Sequence, residues 1–140
     1  MDQTVGGFLR RVVEPRPTWR LVVEAGLQIT PGVRRLRFSG QGLDAMAWTP
    51  GQDLVLNLPT APRRHYTIRA LRDGVLDIDF VLHGHGPAAA WGRDALPGAE
   101  IEAVGPRGRT RLAAQADWHL FVGDETCVPA IFAMLEVLPA

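Results

Sequence analysis

Apolar residues alternate with polar ones along most of the chain, in short runs separated by Gly and Pro. Read with a period of two, WRLVVEAGLQIT (Trp19 to Thr30) predicts a first strand, ended by the Pro31-Gly32 turn. VRRLRFSG follows, with Val33, Leu36 and Phe38 as apolar anchors and its arginines facing solvent. Beyond a Gly- and Pro-rich loop, DLVLNL (Asp53 to Leu58) sets leucines against Val55 and Asn57, and PTAPR turns the chain again. HYTIRAL and VLDIDFVLHG then read as a hairpin about Arg72-Asp73-Gly74, because Asp-Gly favours tight turns. On its second strand Ile78, Phe80 and Leu82 share one face, and Asp77, Asp79 and Val81 the other.

The period then changes. GHGPAAAWGRDAL predicts a short helix with Pro87 in its first turn. Strand IEAVG follows, with a Gly-Pro-Arg-Gly turn at Gly105 to Gly108. Near the end, WHLFVG is an apolar run without alternation, the pattern of a buried parallel strand. DETCVPAIFAMLEVL is helical, with Ile131, Leu135 and Leu138 on one side. A β-meander thus gives way to the first strand and helix of a βαβ unit.

Composition narrows the class. A chain of 140 residues, 46% of them hydrophobic and with 15 Gly and 11 Pro, suits one β-rich soluble domain with many turns. It has no apolar run of the roughly 18 residues that a membrane-spanning helix needs. The start, MDQTVGGFLRRVV, places its acid first and its arginines last, the reverse of a secretory signal. Cys127 stands alone and forms neither an internal disulfide nor a metal cluster, which fits a reducing cytoplasm. Formal net charge is zero, so no global field draws in nucleic acid or an acidic membrane. All 15 basic residues are arginine. Codon bias explains most of that, and only particular arginines are candidates for binding phosphate through their planar forks.

Those candidates lie in Arg64-His65-Tyr66-Thr67. On a strand Arg64 and Tyr66 project to one face, and His65 and Thr67 to the other. A guanidinium two residues before a flat ring suits a diphosphate joined to a heterocycle, and equally suits an exposed Arg beside a half-buried Tyr. His83-Gly84-His85-Gly86-Pro87-Ala88-Ala89 offers open backbone N–H groups at a helix start, where an anion is stabilised, or is a plain turn. Its two histidines lack further ligands at metal-binding spacing, so no metal is expected. Asp124 and Glu125 are adjacent and do not face each other as an acid/base pair. Cys127 reads as a small buried hydrophobe or a thiol near a cofactor. No Ser-His-Asp or Cys-His arrangement is present.

The order of these pieces is more specific than any one of them. RRHYTIR, DIDFVLHGHGPAAAW, PGAEIEAVGPRG and FVGDETCVPAI together span Arg63 to Ile131. They resemble the ferredoxin-reductase-like flavoproteins, and more narrowly the siderophore-interacting protein family of FAD-dependent ferric-siderophore reductases. The resemblance implies a six-stranded antiparallel Greek-key β-barrel with one short helix, as FAD-binding domain over residues 1–116. At 117–140 it implies the first strand and helix of an NAD(P)H-binding α/β domain. It implies that Arg64 binds the FAD diphosphate, Tyr66 stacks on the isoalloxazine, and Thr67 hydrogen-bonds the ring near N5. Tyr66 and Thr67 are thereby the residues closest to the chemistry, and Ile68 of the same strand joins the binding set. Gly86, Pro87, Ala88 and Ala89 become the helix start facing the diphosphate. His83 and Trp91 fall on the adenine or ribityl side, and Thr126 at the junction with the nicotinamide domain. Cys127 departs from the alanine expected there.

The implied activity is NAD(P)H-dependent reduction of a ferric siderophore in the cytoplasm, with release of Fe(II). The family continues past LEVLPA into a nicotinamide-binding domain. The chain as given is therefore expected not to accept hydride from NAD(P)H, and to self-associate through uncovered apolar positions. Another flavin oxidoreductase of the same superfamily is the nearest alternative. A nucleic-acid-binding β-barrel is the more distant one, disfavoured by zero net charge and by motifs converging on one site.

Overall fold

The structure is a computed structural model and describes residues 15–139. The reading of the first residues as no secretory signal lies outside that range. Seven strands form one antiparallel sheet in the order β4-β3-β7-β1-β2-β6-β5. They are β1 (Thr18–Thr30), β2 (Val33–Ser39), β3 (Asp53–Asn57), β4 (Arg64–Thr67), β5 (Ala70–Arg72), β6 (Val75–Val81) and β7 (Glu100–Arg107). Two helices accompany them, α1 (Pro87–Asp94) and α2 (Val128–Leu135). The architecture is mainly β, as the alternation requires.

Strand β1 is long enough to serve two partners, β7 along its first residues and β2 along the rest. The hairpin forms where Asp-Gly places it: Asp73 has φ 52° and Gly74 φ 73°, and Arg72 opposes Val75. Two left-handed residues in succession give the turn whose twist matches the strands it joins. The core between the curled walls includes Leu21, Leu36, Phe38, Leu54, Ile68, Ile78 and Phe80, all fully buried. Burying each such side chain contributes about 1.5–3 kcal/mol, which ordering the chain largely offsets.

Several expectations change. The segment read as one strand, HYTIRAL, is two strands at opposite ends of the sheet order. Ile68 N–H still donates to Gln52 O beside β3 (3.0 Å), while Arg69 N–H donates to Asp77 O on β6 (3.0 Å). One continuous stretch of chain therefore passes from one sheet edge to the other. That raises the strand count from the expected six to seven. The sheet's two ends meet through this crossing and through side chains, with no strand ladder between β4 and β5 among the described residues. Strand β7 also runs on through Gly105 and Pro106, where a turn was expected, because Arg107 pairs opposite Asp53 of β3.

The arginines of β2 do not stand free in solvent. Arg35 and Arg37 oppose Asp79 and Asp77 of β6 in register and grip them with two hydrogen bonds each, 2.6 and 2.9 Å for Arg35 and 2.9 and 3.1 Å for Arg37. Asp77 and Asp79 are buried beneath them. Arg34 turns instead to the last carbonyls of α1, donating to Gly92 O (3.2 Å), Ala95 O (3.1 Å) and Arg93 O. A cation at a helix C-terminus satisfies open carbonyls and opposes the dipole there. The contact helps orient α1 so that its other end is presented elsewhere.

The last segment differs most. Trp118, Leu120 and Val122 form no strand and are 74%, 74% and 84% exposed, since no partner strand lies beside them among the described residues. Helix α2 forms as the pattern predicts, but it buries Pro129, Ala133 and Met134 rather than the Ile131, Leu135 and Leu138 side. Met134 seats against Gly51, where an added Cβ would fall 2.3 Å from its terminal methyl.

Candidate functional site

A cleft of about 420 Å³ opens where β4, α1 and the start of α2 converge. Its first wall is β4. With β3 on one side only, this strand keeps an open edge, so residues of both its faces, Arg64, His65, Tyr66 and Thr67, reach the cleft. Tyr66 packs one side of its ring on Phe80, at 4.3 Å between centroids, and Phe80 meets Trp91 of α1 at 5.7 Å. Burial raises the Tyr66 phenol above its usual pKa of 10.0, against the opposing influence of the Arg64 cation. Tyr66 is therefore a neutral hydroxyl at physiological pH. Arg64 is exposed, donates only to the carbonyl of Arg63 (3.2 Å), and has no carboxylate partner among the described residues.

The second wall is the start of α1. Gly86 is its N-cap in extended conformation, with no side-chain cap, and Pro87 opens the first turn. The first intrahelical bond runs from Ala90 N–H to Gly86 O (3.0 Å), so the Ala88 and Ala89 N–H groups are left without helical partners. A Cβ built on Gly86 meets nothing within 4 Å, so the space before these donors is open. Helix α1 lies close on the core because Gly92 has no side chain; a Cβ there would be 2.5 Å from the Phe80 ring.

The third wall is Thr126 and Pro129. Asp124 accepts from Thr126 N–H (2.9 Å) and Thr126 Oγ1 (2.6 Å), and these bonds hold its carboxyl below the usual range. Asp124 is thus a turn-former and not a free acid. Cys127 is a half-buried free thiol that does not line the cleft.

Of the residues singled out from sequence, Arg64, Tyr66, Thr67, His83, Gly86, Ala88, Ala89 and Thr126 line this one cleft. Ile68 does not; its side chain is fully buried in the core. Trp91 stands behind the wall on Phe80, and Pro87 is not part of the lining. Sequence reasoning missed His65, Asp79, Val81 and Pro129. Asp79 left a trace, since acids two apart on β6 match arginines two apart on β2. No metal-binding group of three is found among the described residues. There, too, no helix is long and apolar enough to cross a membrane.

Helix α2 reaches the cleft because Glu136 ties it down, accepting from Arg69 (2.7 Å) and Arg72 (2.6 Å). The hydrogen bond from Arg69, foremost, holds the Glu136 carboxyl below its usual 4.5. The pair therefore contributes fully above that value and is lost as pH falls through the lowered one. Glu136→Gln is expected to loosen α2 by less than about 1 kcal/mol, the scale of a partly exposed pair. Hydrogen exchange of the α2 amides checks this: acid should lower their protection factors, relative to intrinsic exchange at each pH, in the wild type and have less effect in the variant.

An open guanidinium, two free helix-start N–H groups and an aromatic ring suit an anionic ligand carrying a flat heterocycle. Comparison with known proteins points the same way. Residues 57–110 match the family described as siderophore-interacting FAD-binding domain. Ferric vibriobactin reductase ViuB of Vibrio cholerae is 45% identical over 80 residues, covering 55% of this chain and 30% of its own length. The NADPH-dependent ferric-chelate reductase of Escherichia coli is 37% identical over 83 residues, 57% of this chain and 32% of that protein. The crystal structure of a siderophore utilization protein from T. fusca superposes with a TM-score of 0.77 at 28% identity, covering 89% of this chain and 57% of that one. The chain thus spans about a third of the length of these two curated relatives.

Proposed function

We propose that this chain, whose residues 57–110 match the siderophore-interacting FAD-binding domain family, is the flavin-holding part of an NAD(P)H-dependent ferric-siderophore reductase. The observation that carries this reading is the convergence of Arg64, Tyr66, Thr67 and the α1 start on one cleft. Arg64 and the N–H groups of Ala88 and Ala89 bind the FAD diphosphate, a charge-assisted donor set. Tyr66 offers the side of its ring turned away from Phe80 to the flavin ring. Thr67 orients that ring through its hydroxyl, and Thr126 closes the site from the α2 side. Bound there, flavin would supply the link between a two-electron nicotinamide donor and a one-electron acceptor, Fe(III). The reductase activities that name the two curated relatives support the acceptor class and the donor. Residues 117–140 begin the second, nucleotide-binding domain in this reading.

The purified chain is expected to take up FAD in preference to FMN, since a monophosphate uses only part of the donor set. After anaerobic reduction with dithionite and removal of the excess, mixing with a ferric hydroxamate should yield Fe(II), read with a ferrous-specific dye. Failure to bind flavin, or equal affinity for FMN, would overturn the site assignment. Flavin binding without Fe(II) formation would overturn the acceptor.

A further inference from the structure

Beside the flavin-binding set lies a second constellation, His65 with Asp53 and Arg107, of which His65 reaches the cleft. His65 lies on β4 and lines the cleft, its side chain 52% exposed. Its Nδ1 is 3.2 Å from Asp53 Oδ1 of β3, and Arg107 Nε of β7 approaches the same oxygen at 3.9 Å. The β3–β4 register opposes Val55 to His65 and Asp53 to Thr67, so the carboxylate reaches the imidazole diagonally across the ladder. An aspartate on Nδ1 fixes the ring's orientation, leaving Nε2 without a partner among the described residues. Arg107 anchors the aspartate in turn. A histidine oriented by a carboxylate, with its second nitrogen open to a cleft, is the arrangement of a general acid.

We propose that His65, positioned by Asp53, protonates the oxygen donors of the ferric chelate as the iron is reduced; this rests on the ferric-chelate reading above. Hydroxamate and catecholate oxygens bind Fe(III) as anions. When Fe(III) gains one electron, supplied by the reduced flavin, the iron–oxygen bond weakens, but a bare anionic oxygen recaptures the metal. Transfer of the proton from His65 Nε2 to that oxygen forms an O–H bond as the Fe–O bond breaks, and the imidazole regains a proton from water. The charged or titratable groups that face His65 are Asp53, Arg107, Arg64 on the same strand and His83 across the cleft.

The test compares two acceptors in single turnover of the dithionite-reduced, FAD-loaded chain. Ferricyanide accepts an electron without losing its ligands and needs no proton, whereas a ferric hydroxamate does. His65→Gln is expected to lower the ratio of hydroxamate to ferricyanide rates about 100-fold, the scale of general-acid catalysis. The wild-type hydroxamate rate should fall as protons become scarce at higher pH, and the ratio of the two rates should be less sensitive to pH in the variant. In the flavin-free chain, the ring 15N shifts of His65 should report the Nδ1 hydrogen bond in the wild type and change in Asp53→Asn. A ratio unchanged by His65→Gln, or His65 ring 15N shifts unchanged in Asp53→Asn, would overturn the assignment. A wild type that reduces ferricyanide but no hydroxamate overturns the chelate reading itself, and this assignment with it.

Discussion

Replacing Arg64 by alanine is expected to weaken FAD binding about 10- to 150-fold, the equivalent of roughly 1.5–3 kcal/mol for a hydrogen bond to a charged group. The side chain is exposed and its only partner among the described residues is the neighbouring Arg63 carbonyl. Its removal therefore exposes no core and strands no buried charge, and the unfolding midpoint should stay within about 0.5 kcal/mol of the wild type. Loss of binding without loss of stability is the signature of a ligand contact. Arg63 precedes β4, does not line the cleft, and supplies the control. If Arg63→Ala weakens binding more than Arg64→Ala, the site is built on the wrong arginine. Tyr66→Phe separates ring from hydroxyl, because the packing on Phe80 survives. It should keep most of the affinity, while Tyr66→Ala loses ring, packing and stability together. Titration by quenching of flavin fluorescence, beside urea unfolding, reads both quantities.

The largest loss of stability is expected at Phe80. The residue is fully buried, lies between Tyr66 and Trp91, and fills the space that Gly92 leaves open. Phe80→Ala removes a ring that β4, β6 and α1 share, and cavities of that size cost about 3–5 kcal/mol. Against a total stability of about 5–15 kcal/mol that is a large fraction. The cleft should fail with it, since Phe80 is the surface against which Tyr66 is held. Gly92→Ala probes the same contact from the other side. Its added methyl collides with the Phe80 ring and should cost about 1–3 kcal/mol by overpacking. Phe80→Leu should partly relieve Gly92→Ala, because the smaller side chain gives the methyl room; two additive losses would show that the helix and ring do not share this contact. Urea unfolding followed by tryptophan fluorescence measures all three.

The strand alternation, the Asp73-Gly74 turn and the Pro87 helix start are legible because each is a local property. A period of two, a left-handed pair and a proline in a first turn act on the residues that carry them, whatever lies nearby. The motif at Arg64 to Thr67 is legible for the same reason, as a dense run of binding chemistry in a strand. Its meaning as a cleft wall is less so. Arg64 and His65 lie on opposite faces of β4, and both reach the cleft because that strand stands at a sheet edge. No reading of side-chain alternation contains that information.

What remained illegible depends on neighbours distant in sequence. Arg35 and Arg37 look like solvent-facing charges until β6 is laid beside β2 and Asp79 and Asp77 come opposite them. Arg34 finds the end of α1, 58 residues away at Gly92. The division of HYTIRAL into two strands follows from which edge each half meets, and the docked side of α2 from the position of Arg69, Arg72 and Gly51. The sequence by itself determines the β-rich class, the turns, the helix starts and the chemical vocabulary of the site, since these arise from backbone preference and spacing over a few residues. Only the tertiary structure decides which charges are paired, that His65 is held by Asp53, and that α2 joins the cleft, because electrostatic and packing energies act over a few ångströms of space without regard to separation along the chain.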